Sequence, residues 1–210
     1  MKPATSRTSV DTPHFASGGI DKHNRNKLSP DPGAKRVLHA NLRLVSAPIA
    51  LVLLTTLFGA AFYQFVADIP NWTGLAALEH YRAVHQVTNP GTFFQMIVPA
   101  TLLSLLVALV CNWRPVPVTR WRLAGALALL ILTDVITFTF HHPRNDILFG
   151  APLTQPAAYY DRVVTEWLIG NYVRVALILT AIVLVIASMI RIARDTAPGA
   201  SPYSDSFGAR

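Results

Sequence analysis

Apolar residues in this chain fall into four long runs, at about residues 42–65, 92–111, 121–141 and 166–190, with polar, proline-bearing stretches between them. About twenty helical residues at ~1.5 Å each cross the roughly 30 Å of bilayer hydrocarbon, and each run has that length. The pattern predicts an all-α fold, a bundle of four transmembrane helices. Pro48 lies in the first two turns of the first run, where proline costs less than mid-helix, whereas Pro99 predicts a kink in the second. Between those runs, residues 75–87 are expected to form a short helix that aligns Tyr81, His85 and Asn89 at i, i+4 and i+8. The third run closes on Phe140-His141-His142-Pro143. Because the residue before a proline avoids the helical region, the third helix is expected to stop near His141 and residues 142–165 to form a loop. Residues 1–40 carry scattered prolines and glycines with no apolar period and read as a disordered tail. Residues 41–192 are then the membrane domain, and 193–210 a short polar tail.

Charge adds an orientation. Only 14% of the residues are charged, against about 25% in soluble domains, which excludes a soluble enzyme. A net charge of +7 in a soluble protein would suggest nucleic acid, but here the basic residues flank the runs. Eight Lys and Arg lie at or before Arg43, three between Arg114 and Arg122, and three from Arg191 onward. The other two connecting stretches hold only Arg82, Arg144 and Arg162. The imbalance predicts a cell-membrane protein with both termini cytoplasmic, in contact with the lipid bilayer and not with nucleic acid. Trp72, Trp113, Trp121 and Trp167 all fall near run ends and read as interfacial anchors. A lone cysteine, Cys111, permits no internal disulfide.

The candidate chemistry is the polar residues embedded in apolar runs. On an unbroken helix Asp134, Thr137 and His141 share one face, and in the fourth run Trp167, Asn171 and Arg174 share another at i, i+4 and i+7. Asp134 and Arg174 have similar depth, so an ion pair is expected, since either charge alone in hydrocarbon is costly. His80, His85, His141 and His142 lie on the same side of the membrane. Neither His80/His85 at i, i+5 nor the adjacent His141 and His142 has ligand spacing, so no metal site is predicted.

Two segments carry a family resemblance. His142-Pro-Arg-Asn145-Asp-Ile-Leu148, followed by Glu166-Trp-x-x-x-Asn171-Tyr-Val-Arg174, resembles the Pro-x-Asn and Trp-x-x-x-Asn-x-x-Arg pattern of the anthrone-oxygenase-like membrane proteins. The resemblance spans about residues 42–192 and matches at Asn145, Trp167, Asn171 and Arg174. It implies an oxygenase acting on an apolar polycyclic aromatic or phenolic substrate, without a bound redox cofactor. Asp134, His141 and His142 stand outside the pattern, and their roles rest on the residues themselves. On this reading the catalytic candidates are His141 or His85 as base, with Arg174, Asn145 and Asn171 steadying the anion, and Trp167, Asp134 and Tyr81 contact substrate. The competing class is a non-enzymatic membrane subunit whose polar stripe locks helices together. Transport is disfavoured, because four runs lack the inverted repeats of secondary transporters.

Overall fold

Five helices make up the computed structural model, which describes residues 32–85, 91–114 and 117–196. α1 is Pro32–Tyr63 and runs on through a π turn, Gln64–Asp68, and a 3-10 turn, Ile69–Trp72. α2 is Leu75–His85, α3 Gly91–Cys111, α4 Pro117–Gly150 and α5 Ala157–Thr196. The all-α bundle is as expected: α1, α3, α4 and α5 are each long and apolar enough to cross a membrane. This is a multi-pass membrane protein. The short helix between the first two spans is also present, as α2.

The four spans form a closed ring in which α1 and α4 each pack against both α3 and α5. α1 contributes Ala50, Leu54, Leu57 and Ala61 to the shared core, a 3–4 spacing that keeps one face inward. Leu105 and Ala108 of α3, Leu123, Ala126 and Leu130 of α4, and Ile178, Ala181 and Val185 of α5 complete it. Alanine recurs on every span because small side chains let helices approach where lipid is as apolar as the core. Large residues such as Val52, Met96, Val110 and Val183 point outward, as a lipid-facing surface requires.

A second core closes one end of the bundle. Ile69, Trp72, Leu78, Leu148, Tyr160, Val163, Val164 and Trp167 gather under α2. Gly74 makes the turn into α2 at φ +87°, a conformation glycine adopts without strain. Its N–H donates to Asp161 Oδ1 at 3.1 Å, tying α2 to α5.

The third helix does not stop at His141. It continues to Gly150 through two π turns, Thr137–His141 and Asp146–Gly150, which flank the α turn His142–Asn145. The His142 N–H donates to Thr137 O, five residues back. A proline ring collides with the carbonyl four residues earlier; widening the preceding turn by one residue relieves that collision, so Pro143 bends the helical register without ending the helix. The expected loop at 142–165 shrinks to residues 151–156 for the same reason, with α5 starting just after Pro156. At 40 residues α5 is about 60 Å long, twice the hydrocarbon thickness, so its first turns stand clear of the membrane beside α2.

Candidate functional site

The π turn at Thr137–His141 sets the direction of His141. At about 100° per residue, an unbroken α-helix would put His141 nearly under Asp134 and some 80° away from Thr133. The extra residue of a π turn takes up most of that rotation. Thr133 and His141 are accordingly both buried, 2% and 1% exposed, while Asp134 is only half-buried. The expected stripe of Asp134, Thr137 and His141 is therefore broken: His141 turns into the bundle and away from the Asp134 face.

There it meets the fourth span. The imidazole stands edge-on to the Trp167 indole, with ring centroids 4.7 Å apart. Trp167 is held from α4 as well, its Nε1–H donating to Asn145 Oδ1 at 2.8 Å. One turn further along α5, Asn171 donates through Nδ2 to the Ala61 carbonyl of α1 at 3.4 Å. Arg174 follows on the same face, 6% exposed, and close enough for its charge to act on His141. The structure thus brings together His141, Asn145, Trp167, Asn171 and Arg174, from two spans, as their spacing suggests.

Several polar atoms in this cluster lack a well-placed partner. Asn171 Oδ1 and Arg174 Nε are sealed from solvent without a hydrogen bond, and the ring nitrogens of His141 make none of good geometry, the backbone of Gly170 being the polar group beside them. Buried polar groups in native proteins nearly always find partners, so these atoms mark where the polar groups of a bound molecule would be met. The expected ion pair does not supply a partner. Asp134 and Arg174 act on each other electrostatically but come no closer than 4.0 Å, so no salt bridge forms. Asp134 precedes the π turn and lies half-buried on the flank of α4, short of contact.

The close approach of α4 to α5 depends on Gly170. A Cβ there would lie 2.5 Å from Phe140 Cε1 and 3.1 Å from His141 Nε2. Phe140 is held from its other side by the Arg144 guanidinium, 3.5 Å from the ring centroid. Arg144 in turn pairs with Glu166, Nη2 to Oε2 at 2.9 Å. Gly170, Phe140 and the Arg144–Glu166 pair were not among the expected site residues. The only signal was a glycine between Trp167 and Asn171 on a face otherwise meant to pack.

The remaining candidates lie elsewhere. Trp72 and Trp167, expected as interfacial anchors, are core residues, 3% and 2% exposed, whereas Trp113 and Trp121 are exposed as anchors should be. Trp72 packs edge-on against both Trp167, at 4.9 Å, and Tyr81, at 5.6 Å. Tyr81 lines an open pocket of about 280 Å³ together with Asn71, Ala77, His80 and Val84. Burial, reinforced by the Asp68 carboxylate, pushes the Tyr81 phenol above its ordinary value, so it stays protonated at neutral pH. His80 and His142 are exposed and do not join the cluster. The His85 side chain and Asn89 lie outside the described residues. Among the described residues no three His, Cys, Asp or Glu side chains converge in a way that could hold a metal.

A four-span helical membrane protein with a buried polar cluster between its last two spans is the class these features define. Residues 85–184, just under half of the chain and including every residue of the cluster except Ala61, match the family model described as anthrone oxygenase. Over these residues the chain is anthrone-oxygenase-like. No curated protein and no solved structure matches it.

Proposed function

We propose that the protein is a membrane oxidoreductase that adds oxygen to an apolar aromatic or phenolic substrate drawn from the lipid. The observation that carries this reading is the set of under-partnered polar atoms at His141, Asn171 and Arg174, deep in the family-matched segment. A site that leaves a base, an amide oxygen and one guanidinium nitrogen short of partners is poised for the polar groups of a ligand. His141 removes the proton of an acidic C–H or phenol, and Arg174 and Asn171 steady the anion. The electron-rich anion then reacts with molecular oxygen; one oxygen atom bonds to its carbon and the other leaves as water. No resident redox cofactor takes part. Trp167 and Asn145 fix the wall of the site, with Asp134 on its flank and Tyr81 beyond Trp167 and Trp72; His85 is the alternative base.

A second reading is a non-enzymatic subunit. It is favoured by the Trp167–Asn145 hydrogen bond and the Arg144–Glu166 pair, which lock α4 to α5 whether or not chemistry occurs. Oxygen uptake separates the two. Detergent-purified protein given an air-oxidisable polycyclic phenol should consume oxygen in step with substrate. Uptake no faster than the phenol's own autoxidation would leave the scaffold reading standing.

The basic residues support an orientation. Eight, three and three Lys and Arg on the side of the termini, against Arg82, Arg144 and Arg162 at the α2 end, favour an orientation with both termini in the cytoplasm. A reporter fused after Arg210 should then be active only as a cytoplasmic fusion. Periplasmic activity would move the His141 site to the opposite leaflet.

A further inference from the structure

Four rings form an unbroken series from the buried cluster to the surface. His141 meets Trp167, Trp167 meets Trp72, and Trp72 meets Tyr81, at centroid distances of 4.7, 4.9 and 5.6 Å. The two tryptophans are sealed from solvent, and Tyr81 opens onto the pocket it shares with the exposed His80. Trp167 also anchors Asn145 through its indole N–H, but at Trp72 and Tyr81 packing asks only for apolar bulk, which Phe or Leu supplies. Indole and phenol are instead the side chains that give up an electron most readily among the aromatics, and here they stand in contact, with the phenol at the wet end. Loss of an electron from phenol requires loss of its proton as well, and only the wet end offers water and an imidazole to take it.

We propose that Trp167, Trp72 and Tyr81 are a one-electron relay that drains oxidising equivalents from the His141 site to the surface. The proposal rests on the oxygenase reading: an electron-rich anion that passes one electron to oxygen becomes a radical, and if the superoxide escapes, a second oxygen molecule bonds to that radical carbon as a peroxyl radical. A substrate peroxyl radical takes one electron from Trp167 and one proton from the site, becoming a hydroperoxide. The Trp167 radical cation is refilled from Trp72, and Trp72 from Tyr81. Tyr81, half-exposed and under the influence of the Asp68 carboxylate, releases its phenolic proton to surface water and becomes a neutral tyrosyl radical. A thiol or other external hydrogen donor restores it by returning one electron and one proton.

The relay can be tested without turnover, so its failure and that of the oxygenase reading are distinguishable. The full chain, with the exposed Trp113 and Trp121 both replaced by Phe, is photoionised with ultraviolet light and followed by transient absorption. Trp radical should decay as tyrosyl radical grows. Tyr81→Phe should abolish most of the tyrosyl signal and leave a long-lived Trp radical. Trp72→Phe, which keeps a ring in place, should do the same by cutting the series in the middle. If that variant fails to give monodisperse protein with the parent circular dichroism, Tyr81→Phe decides alone. An unchanged tyrosyl yield in Tyr81→Phe, or in well-folded Trp72→Phe, overturns the relay.

Discussion

His141→Leu and Arg174→Met should each lower oxygenase activity by about 10²–10⁴-fold and about 10²–10³-fold respectively, while leaving the protein as stable as before or more so. The first range is that of a lost general base and the second that of a lost donor to a developing anion. The stability half of the expectation comes from the unpartnered atoms. Removing one member of a hydrogen-bonded pair strands the other, at about 1–3 kcal/mol. His141 leaves behind only the Gly170 backbone, and Arg174 has no partner at Nε and no salt bridge to Asp134. Apolar replacement of buried charge is often neutral or stabilising, by about 1–4 kcal/mol. Thermal melting in detergent, read beside oxygen uptake on a polycyclic phenol, checks both halves. A fall in melting temperature for both variants, with activity unaltered, would make the cluster structural glue and end the functional reading of it.

Gly170→Ala is expected to destabilise the bundle by about 1–3 kcal/mol, the usual cost of forcing atoms into a packed interior. Replacing a helical glycine with alanine ordinarily gains about 1 kcal/mol in an exposed helix, so the sign here is diagnostic. The new methyl would press on Phe140, 2.5 Å away, and Phe140 has no easy retreat because Arg144 covers its other face and is held by Glu166. Combining Gly170→Ala with Phe140→Leu should restore part of the lost melting temperature, since the smaller, flexible side chain can move aside. A stabilised single variant would mean that α4 and α5 are further apart here than described.

Hydropathy alone carried most of the architecture, because membrane spans are specified by length and apolarity and little else. The four spans and α2 were legible for that reason, as was the gathering of Trp167, Asn171 and Arg174 on one face of a regular helix. What was not legible traces to one residue of extra helix. Pro143 was a correct sign of disturbance, but a proline can be met by ending a helix or by widening the turn before it, and only the packing of Leu148 against α2 and α5 decides between them. From that choice follows the inward turn of His141. Trp72 was misplaced for a different reason: an indole near the end of a span serves equally as an anchor in the headgroups or as a core side chain. Whether α2 folds over it, which settles the matter, depends on Gly74 and Asp161, 87 residues apart in the chain.

The π turn at Thr137–His141 also divides the chain into parts that tolerate change differently. Everything from His141 to Gly150 is carried about a quarter-turn out of phase with the α4 residues before it, so the length of this segment is information in itself. Losing one residue there would restore an even α-helical phase, swinging His141 back to the half-buried Asp134 face and Leu148 off the cap, with every side chain still present. The six residues 151–156, outside any helix, carry no such phase and can vary in length at little cost. Between relatives, a single-residue gap inside 137–141 would therefore separate proteins that keep this site from proteins that keep only its composition.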